Sequence, residues 1–261
     1  MIYAFHPASA PLLISVPHAG TRLSSTVERT MTASGRARVD TDWHVHRLVD
    51  FAVQMGAGLI QAEYSRYMVD LNRPPDDQPL YEQAGTGLVA TETFDGQPLY
   101  EPGLQPERTA IERRVEEYWR PYHQQIESEL DRIRRKYRYA IVFDAHSIAS
   151  RVPRLFEGRL PDLNLGTYDG RSCDGQLEAH VSRLLHGQDR FSAVVNGRFK
   201  GGYITRHYGR PDQGIHALQL EIAQACYMDE TQPEVWEEGR AEPLKSLLGD
   251  LFGCLLDWRP A

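Results

Sequence analysis

The chain has 261 residues, 41% of them hydrophobic and 25% charged, an ordinary balance for one globular domain spanning residues 1–261. Its formal net charge of −7 argues against nucleic acid as the main partner, and it has no run of about 18 apolar residues that would predict a membrane-spanning helix. Three cysteines without a C-x-x-C pair, and an N-terminus without a basic leader, predict a reduced, cytoplasmic protein.

The first half of the chain alternates between strand-like and helix-like segments. Short apolar runs that end in proline or glycine indicate buried strands, and apolar residues at intervals of three or four indicate a helix. The predicted segments are a strand at 11–20, a helix at 40–56, strands at 57–65 and 66–71, and a long loop at 74–104. The helix has Asp40 or Asp42 as a candidate N-cap and Gly56 as its end.

The second half begins with the clearest helix, at 106–137, in which apolar residues recur every three or four positions and Pro121 predicts a kink. It is followed by a strand at 139–147, a helix near 174–187, strands near 190–195 and at 215–223, and a helical segment at 233–256. Strands that alternate with helices are typical of an α/β protein. We therefore predict a mixed, mainly parallel central sheet with helices on both faces.

Polar residues that directly follow apolar runs are the first candidates for chemistry, because open α/β sheets bind ligands beyond the carboxyl ends of their strands. His18 and His146 follow two such runs and are candidate zinc ligands. The candidates for a third ligand are Asp40, Asp42 and His44. The alternatives are a hydrogen-bonded structural role for each histidine and an N-cap role for Asp42.

Two further acidic residues lie within these runs. Glu221 interrupts an apolar strand, where a buried carboxyl group would have a raised pKa that suits a general base. The alternative is an edge strand on which Glu221 faces water. Asp144 precedes His146 by two residues and could orient that histidine or cap a turn. The segment 199–209 contains paired glycines and Arg206, and suits either close approach to a ligand or an ordinary turn.

The segment SRYMVDLNRPPDD, residues 65–77, combines strand-like apolar residues with Arg66, Asp70, Asn72 and Arg73. Two arginines, an amide and a carboxylate in so short a run are unusual for a surface loop. We therefore predict a rigid strand end that holds these polar groups for a ligand.

Seven separated motifs occur in the chain in this order: PHAG, DTDWHVHRLVDFA, SRYMVDLNRPPD, TGLVATETFDG, FDAHS, GGYITRHYG and HALQLE. Together, from about His18 to about Glu221, they resemble the N-formylglutamate amidohydrolases, the deformylases of bacterial histidine degradation. The resemblance implies the fold of the zinc carboxypeptidases and aspartoacylases, which agrees with the α/β pattern. It also implies hydrolysis of N-formyl-L-glutamate to formate and L-glutamate.

The resemblance implies roles for individual residues as well. The wider relatives hold Zn²⁺ with two histidines and an acidic residue and use a glutamate as base, and His18, His146 and Glu221 match three of these positions. The acidic ligand of those relatives lies three residues after the first histidine, where this chain has Thr21. We therefore predict that Asp42, ahead of Asp40, completes the zinc site.

RYMVDLNR resembles the segment of aspartoacylase-type enzymes in which the first arginine polarises the scissile carbonyl and an Asn–Arg pair grips a carboxylate. This implies Arg66 as the oxyanion donor and Asn72 with Arg73 as a carboxylate clamp, for which the planar fork of arginine is suited. Arg206 is the candidate for a second carboxylate. The expected partner is a small dianionic substrate, with neither nucleic acid nor a membrane.

Three alternative functions remain at the level of sequence. A related amidase could act on another N-acyl amino acid, such as an N-acyl-aspartate, and a carboxypeptidase-like peptidase would need an open groove for its peptide. A non-catalytic amino-acid-binding protein could use the same fold. Intact His18, His146 and Glu221 argue against the last alternative, because a binding protein has no need of a buried base.

Overall fold

The computed structural model describes residues 1–80 and 86–260, which form a mixed seven-stranded sheet surrounded by helices. The strands are β1 (Tyr3–His6), β2 (Leu12–Val16), β3 (Gly58–Ala62), β4 (Ala140–Ile148), β5 (Leu163–Gly166), β6 (Ala193–Val195) and β7 (Ile215–Ala223). Their order across the sheet is β1-β3-β2-β4-β7-β5-β6. β1 pairs antiparallel with β3, and β5 with β7, whereas the other neighbouring strands are parallel.

The helices vary from single turns to five turns. They are α1 (Ser25–Glu28), α2 (Ala33–Ala37), α3 (Val45–Val49), α4 (Arg108–Arg114), α5 (Arg120–Tyr137), α6 (Gly175–His186), α7 (Tyr203–Tyr208) and α8 (Glu238–Asp257). A π-helical turn, Val115–Trp119, joins α4 to α5. Within the described residues, none of these helices combines the length and the apolar composition needed to cross a membrane.

Alternate residues of the strands face two separate hydrophobic cores. Leu12 and Ile14 of β2 contact a core that includes residues of α3, α6 and α8. Leu13, between them, belongs to a second core with residues of α5 and α7. Because successive side chains of a strand point to opposite faces, helices cover both faces of the sheet. The predicted α/β class with a mixed, mainly parallel sheet is confirmed.

Most predicted strands are present, since β2, β3, β4, β6 and β7 fall within or close to the segments inferred from apolar runs. The sequence did not indicate β1 or β5. β1 is a partly buried edge strand, and β5 has only four residues, of which Asn164 and Gly166 have low strand propensity. Short strands of this kind carry too few alternating residues to be recognised.

The prediction of a strand at 66–71 is wrong. This segment forms turns, and the amide of Met68 donates to the carbonyl of Ser65. Tyr67 lies in one hydrophobic cluster and Val69 in another. The apolar residues therefore reflect burial between two clusters, not membership of a ladder.

Two predicted helices differ in detail. The helix at 106–137 is present as α4 and α5, and the disturbance predicted at Pro121 appears as the π-helical turn that precedes it. Proline has no amide hydrogen to donate, and a wider turn accommodates the missing bond. The helix at 40–56 is shorter, because His44 adopts left-handed angles (φ 61°) and α3 begins only at Val45.

The remaining segments agree with the predictions except near the paired glycines. The described part of 74–104 contains no helix or strand longer than an isolated bridge, while 81–85, also part of the predicted loop, lies outside the described residues. The helices predicted near 174–187 and 233–256 are α6 and α8. The chain after Gly202 forms the helix α7 where a turn or a ligand loop was expected.

Candidate active site

The site begins at the carboxyl ends of β4 and β7, which are neighbouring parallel strands. Asp144 and His146 of β4 lie in register with Gln219 and Glu221 of β7. Because residues two apart in a strand point to the same face, all four side chains lie on one side of the sheet. All four are buried. Glu221 therefore does not face water from an edge strand, which was the alternative interpretation.

The three predicted metal ligands meet beside this strand pair. The possible ligand atoms of His18, Asp42 and His146 all lie within 4.8 Å of one another, and the three side chains are buried. The carboxylate of Asp42 accepts the amide hydrogen of Ser147 (3.1 Å) and lies 3.0 Å from His146 Nδ1. It is thus directed into the cluster and does not cap α3, which has no side-chain cap.

Each histidine has a further aspartate as the partner of its Nε2 atom, which points away from the cluster. His18 Nε2 lies 2.7 Å from Asp70 Oδ1, and His146 Nε2 lies 2.7 Å from Asp144 Oδ2. Since a carboxylate only accepts, we assign a proton to Nε2 of both rings. Both Nδ1 atoms face the cluster, and that of His146 lies next to the carboxylate of Asp42. Carboxylate partners of this kind orient metal-binding histidines. Of the two roles considered for Asp144, orienting His146 is the one its contacts support.

Opposed charges are concentrated in this small volume. Burial alone would lower the pKa of His146, but Asp144 and Asp42 outweigh it and hold that pKa well above its usual range. Burial alone would raise the pKa of Asp42, but His18 and His146 hold it below its ordinary value. Among the described residues, the buried Nδ1 of His18 has no hydrogen-bond partner. A buried nitrogen without a partner needs an explanation, and a bound cation would provide one.

Arg66 connects the loop that follows β3 to this cluster. Its guanidinium donates to Asp70 Oδ2 (2.7 Å) and lies 3.5 Å from Asp42 Oδ1. Its centre lies 4.8 Å from the centroid of the Phe94 ring. Two carboxylates and an aromatic face hold the buried side chain in one orientation, so that Arg66 presents a fixed positive charge next to the cluster.

Both the nitrogen and the oxygen of the Asn72 side chain make hydrogen bonds. Nδ2 donates to Asp144 Oδ2 (3.0 Å) and lies 2.9 Å from His146 Nε2. Oδ1 accepts the amide hydrogen of Ile204, at the start of α7 (2.8 Å). Asn72 therefore joins the loop, the central strand and α7 at the histidine.

Glu221 differs from Asp42 and Asp70 in the direction in which its pKa is shifted. Burial raises the pKa of Glu221 to about 8, and although His146 opposes this shift, Asp42 reinforces it. A carboxyl group with a pKa near neutrality can both accept and return a proton at working pH. This behaviour suits a general base more than a metal ligand.

A cleft with an empty volume of about 590 Å³ opens over these groups. The predicted site residues in its lining are His18, Arg66, Asn72, Arg73, His146 and Glu221. Arg73 is anchored at two nitrogens, because its Nε donates to the carbonyl of Thr86 (2.8 Å) and its Nη1 to the carbonyl of Asn72 (3.1 Å). The lining also contains residues that the sequence did not single out, namely Phe94, Ile148, Leu155, Phe199 and Arg198.

Two alternative ligand candidates lie apart from the cluster. Asp40 Oδ2 accepts the amide hydrogen of Phe94 (2.9 Å), and burial raises the pKa of Asp40. His44 Nε2 lies 2.9 Å from the carbonyl oxygen of Pro233. Neither residue belongs to the one group of possible ligands found among the described residues.

Arg206 is not among the described residues that line the cleft. Its Nη1 donates to the carbonyl of Leu80 (2.7 Å), and its guanidinium lies 4.7 Å from the centroid of the Tyr168 ring. Binding of a substrate carboxylate by Arg206 stays a prediction.

The comparison with known families agrees with this geometry. Residues 10–228 match the family described as N-formylglutamate amidohydrolase. The chain belongs to the N-formylglutamate amidohydrolase family. The resemblance inferred from the seven motifs is thus confirmed. Two N-formylglutamate deformylases, from Pseudomonas putida and Pseudomonas aeruginosa, are each 49% identical to this chain over 257 residues, covering 98% of it and 96% and 97% of their own lengths.

Solved structures of similar proteins extend the likeness to the whole fold. The crystal structure of N-formylglutamate amidohydrolase from Ralstonia eutropha superposes with a TM-score of 0.81 at 25% identity, covering 98% of this chain and 96% of that one. A gene product of Agrobacterium tumefaciens superposes with a TM-score of 0.71 at 16% identity, covering 97% and 96%, and shows the fold alone. The amidohydrolase fold therefore includes α8, which lies beyond the last of the seven motifs.

Some residues of the site had a signal in the sequence that was not used. Asp70 and Phe94 lie within the amidohydrolase motifs SRYMVDLNRPPD and TGLVATETFDG, but neither had been given a role of its own. Arg198 precedes the GGYITRHYG motif by three residues. An arginine close to paired glycines is common at protein surfaces, so its place in the cleft lining became visible only in the structure.

Proposed function

We propose that this protein hydrolyses N-formyl-L-glutamate to formate and L-glutamate with the help of one Zn²⁺ ion. The observation that carries the proposal is the buried cluster of His18, Asp42 and His146 in a cleft lined by arginines. Glu221, whose pKa is raised, lines the same cleft. Two relatives at 49% identity are N-formylglutamate deformylases, which supports the choice of substrate. On the family resemblance we assign the reaction to histidine degradation in the cytoplasm.

The donor set fits zinc. Two imidazole nitrogens and one carboxylate are a common set of protein ligands for catalytic zinc, which keeps a further position open. Asp70 and Asp144 already hold the rings so that both Nδ1 atoms point inward, and that of His18 has no hydrogen-bond partner among the described residues. Zn²⁺ bound there would lower the pKa of a water to roughly 7 and polarise the formyl carbonyl.

Glu221 and Arg66 would carry the remaining steps. Glu221 accepts a proton from the attacking water, whose oxygen adds to the formyl carbon. Arg66 donates hydrogen bonds to the oxyanion that develops on the carbonyl oxygen, from a position fixed by Asp70. Glu221 then returns the proton to the amide nitrogen as the C–N bond breaks, and formate and the amine of glutamate are released.

Arg73 would bind one carboxylate of the substrate, and the family resemblance adds Asn72 to this clamp. The oxygen and the nitrogen of the Asn72 side-chain amide already have partners within the protein. We therefore propose that Arg73 supplies the charge, while Asn72 holds the segment against His146. Arg206 is the sequence-based candidate for the second carboxylate.

The proposal is tested by measuring formate release from zinc-loaded protein. The substrate panel contains N-formyl-L-glutamate, N-acetyl-L-glutamate, N-acetyl-L-aspartate and N-formyl-L-leucine. We expect the first to have the highest kcat/KM, and activity to disappear on dialysis against a chelator and to return with zinc. Preference for an acetylated substrate would instead identify a related amidase. Tight binding of glutamate without release of formate or acetate would identify a binding protein.

A further inference from the structure

The proposed substrate carries two carboxylates, and this inference rests on that proposed function. Three arginines line the described part of the cleft, namely Arg66, Arg73 and Arg198. The charge of Arg66 is already balanced by Asp70 and Asp42. Arg73 is expected to bind one carboxylate, so a dianionic substrate requires a second cationic group in the lining, and Arg198 occupies such a position.

Arg198 is held at the wall of the cleft by a hydrogen bond and a contact with an aromatic ring. Its Nε donates to the carbonyl of Leu155 (2.9 Å), and its guanidinium carbon lies 5.5 Å from the centroid of the Phe199 ring. Leu155 and Phe199 also line the cleft. An arginine anchored through Nε keeps a defined direction, which reduces the entropy lost when it binds a carboxylate.

The backbone that follows Arg198 is held against the catalytic groups. The amide of Gly202 donates to Gln219 Oε1 (2.7 Å), in the strand that carries Glu221. A Cβ atom at Gly202 would lie 2.3 Å from Asn72 Nδ2, so only glycine permits this approach. The position of Arg198 is therefore set relative to Asn72 and to the end of β7.

We propose that Arg198 binds the γ-carboxylate of the substrate and thereby selects a glutamate side chain. Arg73 directly follows Asn72, which contacts His146, and so suits the α-carboxylate that lies next to the scissile nitrogen. A substrate held in this way extends its side chain along the cleft, towards the wall formed by Leu155 and Phe199. Arginine suits this role, because its planar guanidinium matches the two oxygens of a carboxylate.

The contacts of Arg206 are consistent with a different role. Its Nε donates to the carbonyl of Gly201 (2.8 Å), and Gly201 adopts left-handed angles (φ 112°). Arg206 thus supports the turn between Arg198 and α7. We assign it to positioning this turn, and assign the γ-carboxylate to Arg198.

The test compares three variants by two measurements. Arg198→Met removes the charge but keeps an unbranched side chain, and Arg206→Met does the same at the rival position. Arg190→Met is a matched control, because Arg190 is exposed and also lies over the ring of a following phenylalanine, Phe191. The first measurement is kcat/KM for N-formyl-L-glutamate and for N-formyl-L-glutamine, in which only the γ-carboxylate is neutral. The second is binding of L-glutamate and L-glutamine to the zinc-loaded protein by calorimetry.

We expect Arg198→Met to lower kcat/KM for the glutamate substrate by about 10–100-fold, the effect of losing a hydrogen-bonded charge. The loss should appear mainly in KM, and kcat/KM for the glutamine substrate should change little, so that the preference between them collapses. Arg198→Lys should restore part of the preference, and Arg190→Met should keep all of it.

The proposal is overturned if Arg198→Met keeps the wild-type preference, or if only Arg206→Met loses it. Calorimetry separates this outcome from failure of the proposed function. A wild type that binds glutamate over glutamine through Arg198, yet releases no formate, would refute the deformylase function and support the role of Arg198.

Discussion

The two halves of the candidate site come from different kinds of backbone. His146 and Glu221 extend from β4 and β7, where pairing in register fixes the distance between them. Asp42, Arg66 and Asp70 come from segments that contain turns and no strand. Both halves are nevertheless buried. Irregular backbone can thus place candidate catalytic groups as deeply as a central sheet does.

The halves differ in what holds them in place. The backbone ladder holds the strand half, and it does not depend on the identity of the side chains. Side chains hold the loop half in place. Asp70 accepts hydrogen bonds from the guanidinium of Arg66 and from the backbone amide of Asn72 (2.8 Å), and it also contacts His18. We therefore expect substitutions in the strand half to have local effects, and substitutions in the loop half to disturb several groups at once.

The largest effect should follow removal of one proposed zinc ligand from either half. His146→Ala and Asp42→Asn should both lose zinc and activity while the chain stays folded, since each removes one of three donors. We expect kcat to fall by roughly the 10³–10⁶-fold that loss of an essential catalytic element causes. Zinc per chain is measured by mass spectrometry, formate release by assay, and folding by circular dichroism.

Asp40→Asn is the matched control for Asp42→Asn. An asparagine at position 40 can still accept the amide hydrogen of Phe94, so zinc content and kcat should stay near those of the wild type. Full zinc content in Asp42→Asn together with loss of zinc in Asp40→Asn would transfer the ligand role to Asp40.

The sequence predicted the strand half of the site more completely than the loop half, for a physical reason. In YAIVFDAHS a buried apolar run reveals the strand, and its end reveals which polar residues reach the edge of the sheet. In SRYMVDLNR the apolar residues enter two clusters, and no short-range period separates this pattern from that of a strand. The chemistry of Arg66 was still predicted from the family motif, although its backbone was not.

The sequence patterns did not predict contacts between segments that are distant in the chain. His44 adopts left-handed angles, so that α3 begins only at Val45, and Asp42 contacts His146, which is 104 residues away in the chain. Arg198 enters the lining through its bond to Leu155, which is 43 residues away in the chain. Such contacts depend on the packing of complete elements.

The next largest effect tests the strand half alone. Glu221→Gln keeps the shape of the side chain and removes its basicity, so kcat should fall by roughly 10²–10⁴-fold. Zinc content should not change, because Glu221 is not one of the clustered ligands. Near-normal kcat in this variant would remove Glu221 from the mechanism. Loss of zinc would show instead that Glu221 is a ligand.

Arg66 and Arg73 allow a comparison within the loop half. Arg66→Ala should lower kcat and kcat/KM together by on the order of 10²–10³-fold, the usual result of losing an oxyanion donor. Arg73→Ala should mainly raise KM for N-formyl-L-glutamate, because uniform binding of a carboxylate contributes to KM. Arg73→Lys should recover only part of this, since an ammonium group has no planar fork. An unchanged KM in Arg73→Ala would contradict the clamp.

The smallest effect should come from substitution of Asp70 and Asp144, the aspartates that contact the Nε2 atoms of the two histidines. It tests most directly whether the two halves of the site are held in place differently. Asp144→Asn and Asp70→Asn each remove the carboxylate that orients one histidine, and each should lower zinc affinity by about 10–100-fold. With zinc saturating, Asp144→Asn should recover most of its kcat, because the ladder still holds His146. Asp70→Asn should recover less, because Arg66 loses the nearer of its two carboxylate partners. Competition with a chromophoric chelator gives the zinc affinity, and kcat is measured over a zinc titration. Equal recovery of kcat in the two variants would show that the loop half is held by more than the side chains of Asp70 and Arg66.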